Sequence, residues 1–180
     1  MRIISGKYGG RKILIPNKIP FTRPTTDFAK EGLFNILQNR VDLEDIQSLD
    51  LFGGTGSISF ELASRGAASL DLVEKDSNMV ASIKKNIEAL GIENMHIYKM
   101  GVFEFLENAT GLYDIIFAGP PYALKEIDLL PGKIIEKKLL AAGGIFILEH
   151  TPRNDYAQFP AYRFQRNYGT TIFSFFEEHE

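Results

Sequence analysis

The chain has 180 residues, a net charge of −3 and no cysteine. One domain of this length buries roughly 70% of its unfolded surface and needs no covalent staples. Without cysteine there are no disulfides, thiolate metal sites or covalent cysteine chemistry, a composition compatible with the cytoplasm. His96, His150 and His179 are scattered and give no metal-ligand spacing, so no metal is expected. No apolar run approaches the ~20 residues of a membrane span, and the mixed basic and apolar start does not read as a signal peptide. The charge is uneven. Residues 1–30 hold Arg2, Lys7, Arg11, Lys12, Lys18, Arg23 and Lys30 against Asp27 alone, so this segment carries +6 and the remainder −9. A basic arm on an acidic body is the pattern of a polyanion contact.

In chain order, two short apolar runs flank Tyr8-Gly9-Gly10, which predicts a β-hairpin. After a loop, Pro24 and a cap from Thr25, Thr26 or Asp27 open a helix whose apolar face runs from Phe28 to Leu37 and ends near Arg40. Strands and helices then alternate. The pattern predicts strand 48–53, helix 57–65, strand 69–74, helix 77–90 closed by Gly91, strand 95–100 and a short helix 102–108. Tyr113 to Ala118 is continuously apolar, as a buried parallel strand requires. A helix over 124–141, interrupted or restarted near Pro131-Gly132, precedes strand 144–149. Residues 162–168 alternate in character and turn at Gly169 into a last strand, 170–176. The expected architecture is one α/β domain with a doubly wound, mostly parallel sheet ending in an antiparallel hairpin. It divides into a basic hairpin arm (1–22), an N-terminal helix (23–40) and a core (41–180).

Chemistry concentrates at two strand ends. In Asp50-Leu51-Phe52-Gly53-Gly54-Thr55-Gly56 an apolar strand ends in an acid and a glycine turn, and a helix follows. Such a turn lets a ligand approach the main chain and meet the free N–H groups of a helix start. No Lys follows the glycines, as a P-loop would need. Ser59 stands where a dinucleotide fingerprint would have its third glycine. Asp50 favours a ligand bearing an amine. S-adenosylmethionine (SAM) carries an amine, a carboxylate and a sulfonium and no phosphate. Glu74, ending the next strand twenty residues after Gly54, is placed to hold its ribose hydroxyls. The second site is Gly119-Pro120-Pro121-Tyr122, after the fourth strand. Two prolines fix the backbone and remove two donors, leaving carbonyl acceptors beside an aromatic ring. That arrangement suits a planar base with an exocyclic amine.

With both motifs in place, the chain resembles the SAM-dependent amino-methyltransferases that carry an Asp/Asn-Pro-Pro-Tyr/Phe motif. More narrowly it is similar to the bacterial family that methylates the guanine N2 of 16S ribosomal RNA. The similar stretches are Met1 to Arg11, Arg23-Pro24-Thr25-Thr26-Asp27 with Phe34-Asn35-Ile36-Leu37, Asp50 to Gly56, and Ser64-Arg65-Gly66-Ala67. The resemblance implies a Rossmann-like class I methyltransferase with a seven-stranded sheet and an N-terminal extension over the active-site face. It implies a SAM site of Asp50, Phe52, Gly53, Gly54, Thr55, Gly56, Glu74, Lys75, Gly101 and Val102, and a catalytic turn of Gly119, Pro120, Pro121 and Tyr122. Arg2, Lys7, Arg11, Lys12, Arg23 and Thr25 would meet ribosomal RNA, within a small-subunit assembly particle.

Two positions depart from the family pattern. Gly101 stands where an Asp or Asn would accept from the adenine amino group, a loss on the scale of one hydrogen bond, roughly 1–2 kcal/mol. Gly119 stands where an Asp or Asn would accept from the target amine, so Gly119→Asp is expected to raise the rate, by about 10²-fold, or, if Gly119 takes a positive φ, to strain the turn and lower both stability and activity. Two other readings stand beside this one: an amino-methyltransferase acting on DNA adenine or cytosine, and a homologue that binds SAM or RNA without turnover.

Overall fold

The computed structural model describes residues 1–19 and 24–178. Seven strands make one sheet: β1 (Gln47–Leu51), β2 (Ser69–Val73), β3 (Met95–Tyr98), β4 (Tyr113–Ala118), β5 (Leu140–His150), β6 (Tyr162–Tyr168) and β7 (Thr171–Phe176). Their order is β3-β2-β1-β4-β5-β7-β6. The first five in that order are parallel, and β7 runs antiparallel to both of its neighbours. The mostly parallel sheet with a terminal antiparallel hairpin is as the sequence predicts. The helices are α1 (Asp27–Arg40), α2 (Ser57–Ser64), α3 (Ser77–Leu90), α4 (Val102–Asn108) and α5 (Leu130–Glu136). No described helix is long and apolar enough to cross a membrane.

Parallel strands present both faces to helices, so both faces are apolar. On one face Leu70, Leu72, Ile115, Phe117 and Ile147 pack with residues of α1, α2 and α3 and with Ile3 and Ile13 of the N-terminal arm. On the other, Leu49, Leu51, Ile116, Ala118 and Leu148 pack with Val102 and Leu106 of α4 and Leu130 and Ile134 of α5. From β1 the chain turns outward to β2, and β4 pairs with the other side of β1. The crevice above the carboxyl ends of β1 and β4 is therefore the topological switch point, where doubly wound sheets bind ligands.

Two expectations change. The helix expected over 124–141 is a 3-10 turn (Ile127–Leu129) and the seven-residue α5, with Pro131 in its first turn. It stops at Glu136, and Lys138 takes a left-handed φ of 54°. Leu139 is buried beyond it, and β5 begins at Leu140, well before the expected residue 144. The paired lysines and leucines suit a helix by propensity, but the leucines are drawn into the sheet-side core. Secondly, the arm's hairpin carries one antiparallel bridge, Arg2 with Lys12, rather than a ladder. The arm is also pinned to the body. The Ile4 and Ser5 amides donate to Glu61 of α2, the Tyr8 amide to the Ser64 hydroxyl, and the Leu14 amide to Asn86 of α3. Ile3 and Ile13 are buried beneath it. A short arm on its own could not order itself, and these bonds to α2 and α3 supply the template.

Candidate active site

Each expected motif sits at a strand end. The glycine turn follows β1, Glu74 follows β2, and Gly119-Pro120-Pro121-Tyr122 follows β4. The Gly119 amide donates to the Leu51 carbonyl at 3.4 Å, which sets the proline turn beside the glycine turn. Gly54 and Gly56 both have positive φ, 58° and 81°. A Cβ on Gly56 would also strike the Phe60 ring at 2.7 Å. Phe52 holds a φ of 60° without being glycine, a strain that surrounding structure must sustain.

Glu74 locks this turn. Its Oε1 accepts from the Gly54 amide at 2.9 Å and its Oε2 from the Asp76 amide at 2.8 Å. Each oxygen keeps a second lone pair for a ligand hydroxyl. Asp50 is 2% exposed, and its Oδ2 accepts from the Ser59 hydroxyl at 2.7 Å. Burial first, then the nearby charges of Glu74 and Glu149, push its carboxyl up to about 7, against the Ser59 hydrogen bond.

Two cavities flank Phe52. The larger, about 750 Å³, is lined by Val73, Glu74, Lys75, Asp76, Met79, Gly101, Val102, Phe103, Pro121 and Leu124 among others. Its lining is mostly apolar, with the Glu74 carboxylate among its acids, which fits an adenosine. Lys75 is exposed and Val102 buried within it. Gly101, at the start of α4, would point a Cβ into open space. The smaller, about 40 Å³, lies between Thr25, Asp50, Gly53, Gly54, Thr55, Ser57, Phe117, Gly119 and Glu149. The buried Ser57 hydroxyl, at the first position of α2, has no hydrogen-bond partner among the described residues. An unpaired buried donor at a helix start fits the carboxylate of an amino-acid moiety. The residues present thus fit SAM: adenosine in the larger cavity, its amino-acid end toward Asp50 and Ser57.

The structure brings together Asp50, the glycine turn, Glu74, Gly101 and Gly119. Tyr122 is 40% exposed and lines neither cavity, standing at the outer rim of the proline turn. The Pro121 carbonyl accepts from the Leu124 amide. Arg2, Lys7, Arg11 and Lys12 lie on the exposed arm, whose first residue reaches the site through the contact of the Met1 sulfur with the Thr55 hydroxyl. Arg23 lies outside the described residues. Thr25 faces inward, and its hydroxyl donates to Glu149 at 2.6 Å. Thr26, not Thr25 or Asp27, caps α1.

Glu149 is the site residue that the sequence motifs did not mark. It is 3% exposed, near the carboxyl end of β5, and burial pushes its carboxyl up to about 7. A signal was present: like Asp50 and Glu74, it is an acid closing an apolar strand. Gly119 takes no positive φ, so a side chain there is not barred by the backbone. A Cβ would stand 3.1 Å from the Phe117 ring and 3.6 Å from Glu149 Oε2. An Asp at 119 would therefore crowd a carboxylate already in place, and the rate gain expected from Gly119→Asp does not follow from this geometry.

A family model described as conserved hypothetical protein 95 matches residues 1–177. The ribosomal RNA small subunit methyltransferase D of Buchnera aphidicola subsp. Acyrthosiphon pisum (strain APS) is 39% identical over 141 residues, 76% of this chain and 72% of that protein. Among solved structures, a hypothetical protein of Thermus thermophilus superposes with a TM-score of 0.86 at 29% identity, covering 99% of both chains. A Thermus thermophilus 16S rRNA N2 G1207 methyltransferase, in complex with AdoMet and guanosine, gives a TM-score of 0.68 at 26% identity over 86% of this chain and 44% of that one. The chain belongs to the conserved hypothetical protein 95 family, in which it stands beside the ribosomal RNA small subunit methyltransferases D.

Proposed function

We propose that this chain is a SAM-dependent rRNA methyltransferase whose target is the exocyclic N2 amine of a guanine in small-subunit RNA. The observation that carries the reading is the switch-point crevice. There the Gly119 amide donates to the Leu51 carbonyl at the end of β1, which sets the Gly-Pro-Pro-Tyr turn beside the glycine turn held by Glu74. The family relatives named for small-subunit RNA support the substrate class, and the structural likeness to an N2 methyltransferase supports the atom.

SAM, when bound, supplies a methyl group on a sulfonium. The protein has little acid–base work to do before transfer, because the task is to hold an aromatic amine in line with that methyl, about 3–3.5 Å away. The amine lone pair is delocalised into the base. Acceptors out of the base plane favour a pyramidal nitrogen and stabilise the charge that develops on it. The carbonyls of Gly119 and Pro120 are the acceptors of the turn, and Tyr122 is exposed to stack on the base. Transfer of tritiated methyl from SAM to deproteinised 16S rRNA, assembled small subunits and DNA tests the reading. N2-methylguanosine in the digested RNA is the expected product. Methylated adenine or cytosine in DNA would replace the reading with a DNA methyltransferase. SAM binding without transfer to any of them would leave a non-enzymatic binder.

Glu74→Ala weakens SAM binding by roughly 1–3 kcal/mol, because two ribose hydroxyls lose a charged acceptor. The variant also frees the amides of Gly54 and Asp76. Calorimetry giving wild-type SAM affinity would remove Glu74 from the site.

Arg2, Lys7, Arg11 and Lys12 are solvent-exposed on an arm that the body holds in place. Replacing all four with Ala reduces the salt dependence of RNA binding by roughly three to four units of slope, if each neutralises one phosphate. SAM affinity is unchanged. Equal RNA binding by wild type and variant across several salt concentrations would reduce the arm to a solvated surface.

A further inference from the structure

We propose that Glu149, held by Thr25, supplies at the target amine the acceptor that Gly119 lacks. The inference rests on the methyltransferase reading and names a residue of that same site.

The sheet register sets the geometry. Ala118 of β4 pairs with Leu148 of β5, so Gly119 and Glu149 are the next residues along two adjacent parallel strands. Paired residues of adjacent strands point to the same face. A side chain on Gly119 would start 3.6 Å from Glu149 Oε2. The carboxylate thus borders the space that an Asp or Asn side chain on the neighbouring strand would enter. The Thr25 hydroxyl fixes the other oxygen, Oε1, at 2.6 Å. Oε2 accepts no hydrogen bond from the described residues and is left for a ligand donor. Thr25 lies on the segment entering α1 and Glu149 near the end of β5, and both line the small cavity with Asp50 and Gly119. Among the described residues, the titratable groups facing Glu149 across that cavity are Asp50 on β1 and, beyond it, Glu74 at the end of β2. Both are acids, and burial already holds Glu149 near half-ionisation at about pH 7.

In the reaction the amine nitrogen forms a bond to the methyl carbon, and the carbon–sulfur bond breaks with its electron pair going to sulfur. One proton leaves the nitrogen for Glu149 Oε2 and passes on to solvent. The products are the methylated amine, S-adenosylhomocysteine and a proton. The ionised carboxylate first accepts a hydrogen bond from the amine and so aims its lone pair.

The test compares wild type, Glu149→Gln, Gly119→Asp and the double variant in methyl transfer to 16S rRNA, with SAM affinity measured by calorimetry. In Glu149→Gln the rate at saturating SAM falls about 10²–10³-fold, and the rise in that rate through pH 7 disappears. Gly119→Asp alone lowers the rate, since two carboxylates then crowd one site. The double variant recovers at least ten times the activity of Glu149→Gln, because the carboxylate has moved to the neighbouring strand. Glu149→Gln at the wild-type rate, or a double variant no better than Glu149→Gln, overturns the proposal. A wild type that methylates none of the RNA substrates instead overturns the function above. Glu149 is then judged by guanosine binding to protein saturated with S-adenosylhomocysteine. About tenfold weaker binding in Glu149→Gln supports its role at the base, and unchanged binding overturns it.

Discussion

Glu61→Ala lowers folding stability by about 3–5 kcal/mol and detaches the N-terminal arm. Glu61 is fully buried on α2. Its Oε1 accepts from the Ile4 amide at 2.8 Å and pairs with Lys30 at 3.1 Å, while Oε2 accepts from the Ser5 amide at 3.1 Å and from Arg65 at 2.9 Å. One carboxylate thus joins the arm, α1 and α2. Without it the Lys30 ammonium, fully buried and already lowered in pKa by burial, keeps only the Arg2 carbonyl as acceptor among the described residues, and two arm amides lose theirs. A buried ion pair adds little net stability, but removing one member strands the other, and that asymmetry makes the loss large. Urea unfolding measures it, and amide exchange at Ile4 and Ser5 reports the arm. An unfolding free energy within about 1 kcal/mol of wild type would show that the arm docks without this carboxylate, through Ile3, Ile13 and its bonds to Ser64 and Asn86. RNA binding should weaken with the loss, since the basic residues then lack a fixed placement.

Folding stability carries a pH-dependent contribution from Asp50 and Glu149 that declines between about pH 4 and pH 7. Both carboxyls are raised to about 7, from ordinary values of 3.8 and 4.5. The folded protein therefore holds their protons more tightly than the unfolded chain does. Their contribution is most favourable below the unfolded values, falls as pH rises, and levels off above about 7. A change of this size is worth on the order of 3 kcal/mol per carboxyl. Other carboxylates impose slopes of their own, so the comparison is between wild type and the Asp50→Asn/Glu149→Gln variant from pH 4 to 8. The variant gains stability over wild type across that range as pH rises. Parallel curves would mean that neither carboxyl is perturbed. The SAM amine would lower the Asp50 pKa, so SAM should release a proton on binding near pH 7. The stabilisation that SAM gives should grow from pH 6 to pH 8.

A site that holds two buried acids at about 7 costs stability near neutral pH, and nothing in the apolar core needs them. Such groups mark functional sites more often than structural ones. The His150 network is the contrast. That ring is fully buried, but it is satisfied by Ser174 at 2.6 Å and the Thr151 carbonyl at 2.8 Å and packs on Tyr156. Burial lowers its pKa and keeps it neutral, so it works as a structural polar link between β5 and β7.

The order of residues suffices for the alternation of strands and helices, the antiparallel end of the sheet, and the placing of Asp50, Glu74 and Gly119 at strand ends. These are local matters. Apolar periodicity fixes an element, and glycine, proline and capping residues punctuate it within a few residues. Positions 53–56 are read this way because positive φ and close approach demand glycine there. Partners far apart in the chain are a matter for the assembled fold. Thr25 and Glu149 are 124 residues apart, and no spacing rule joins them. Glu61 reads as a solvent-facing helix residue until the arm folds over it, 57 residues from Ile4. Leu139 and Leu140 suit a helix by propensity, and pairing with β4 draws them out of it. Each of these choices is made by burial against a surface that exists only once the sheet has assembled, which is why local pattern locates the strand-end acids but not the companions that determine what those acids do.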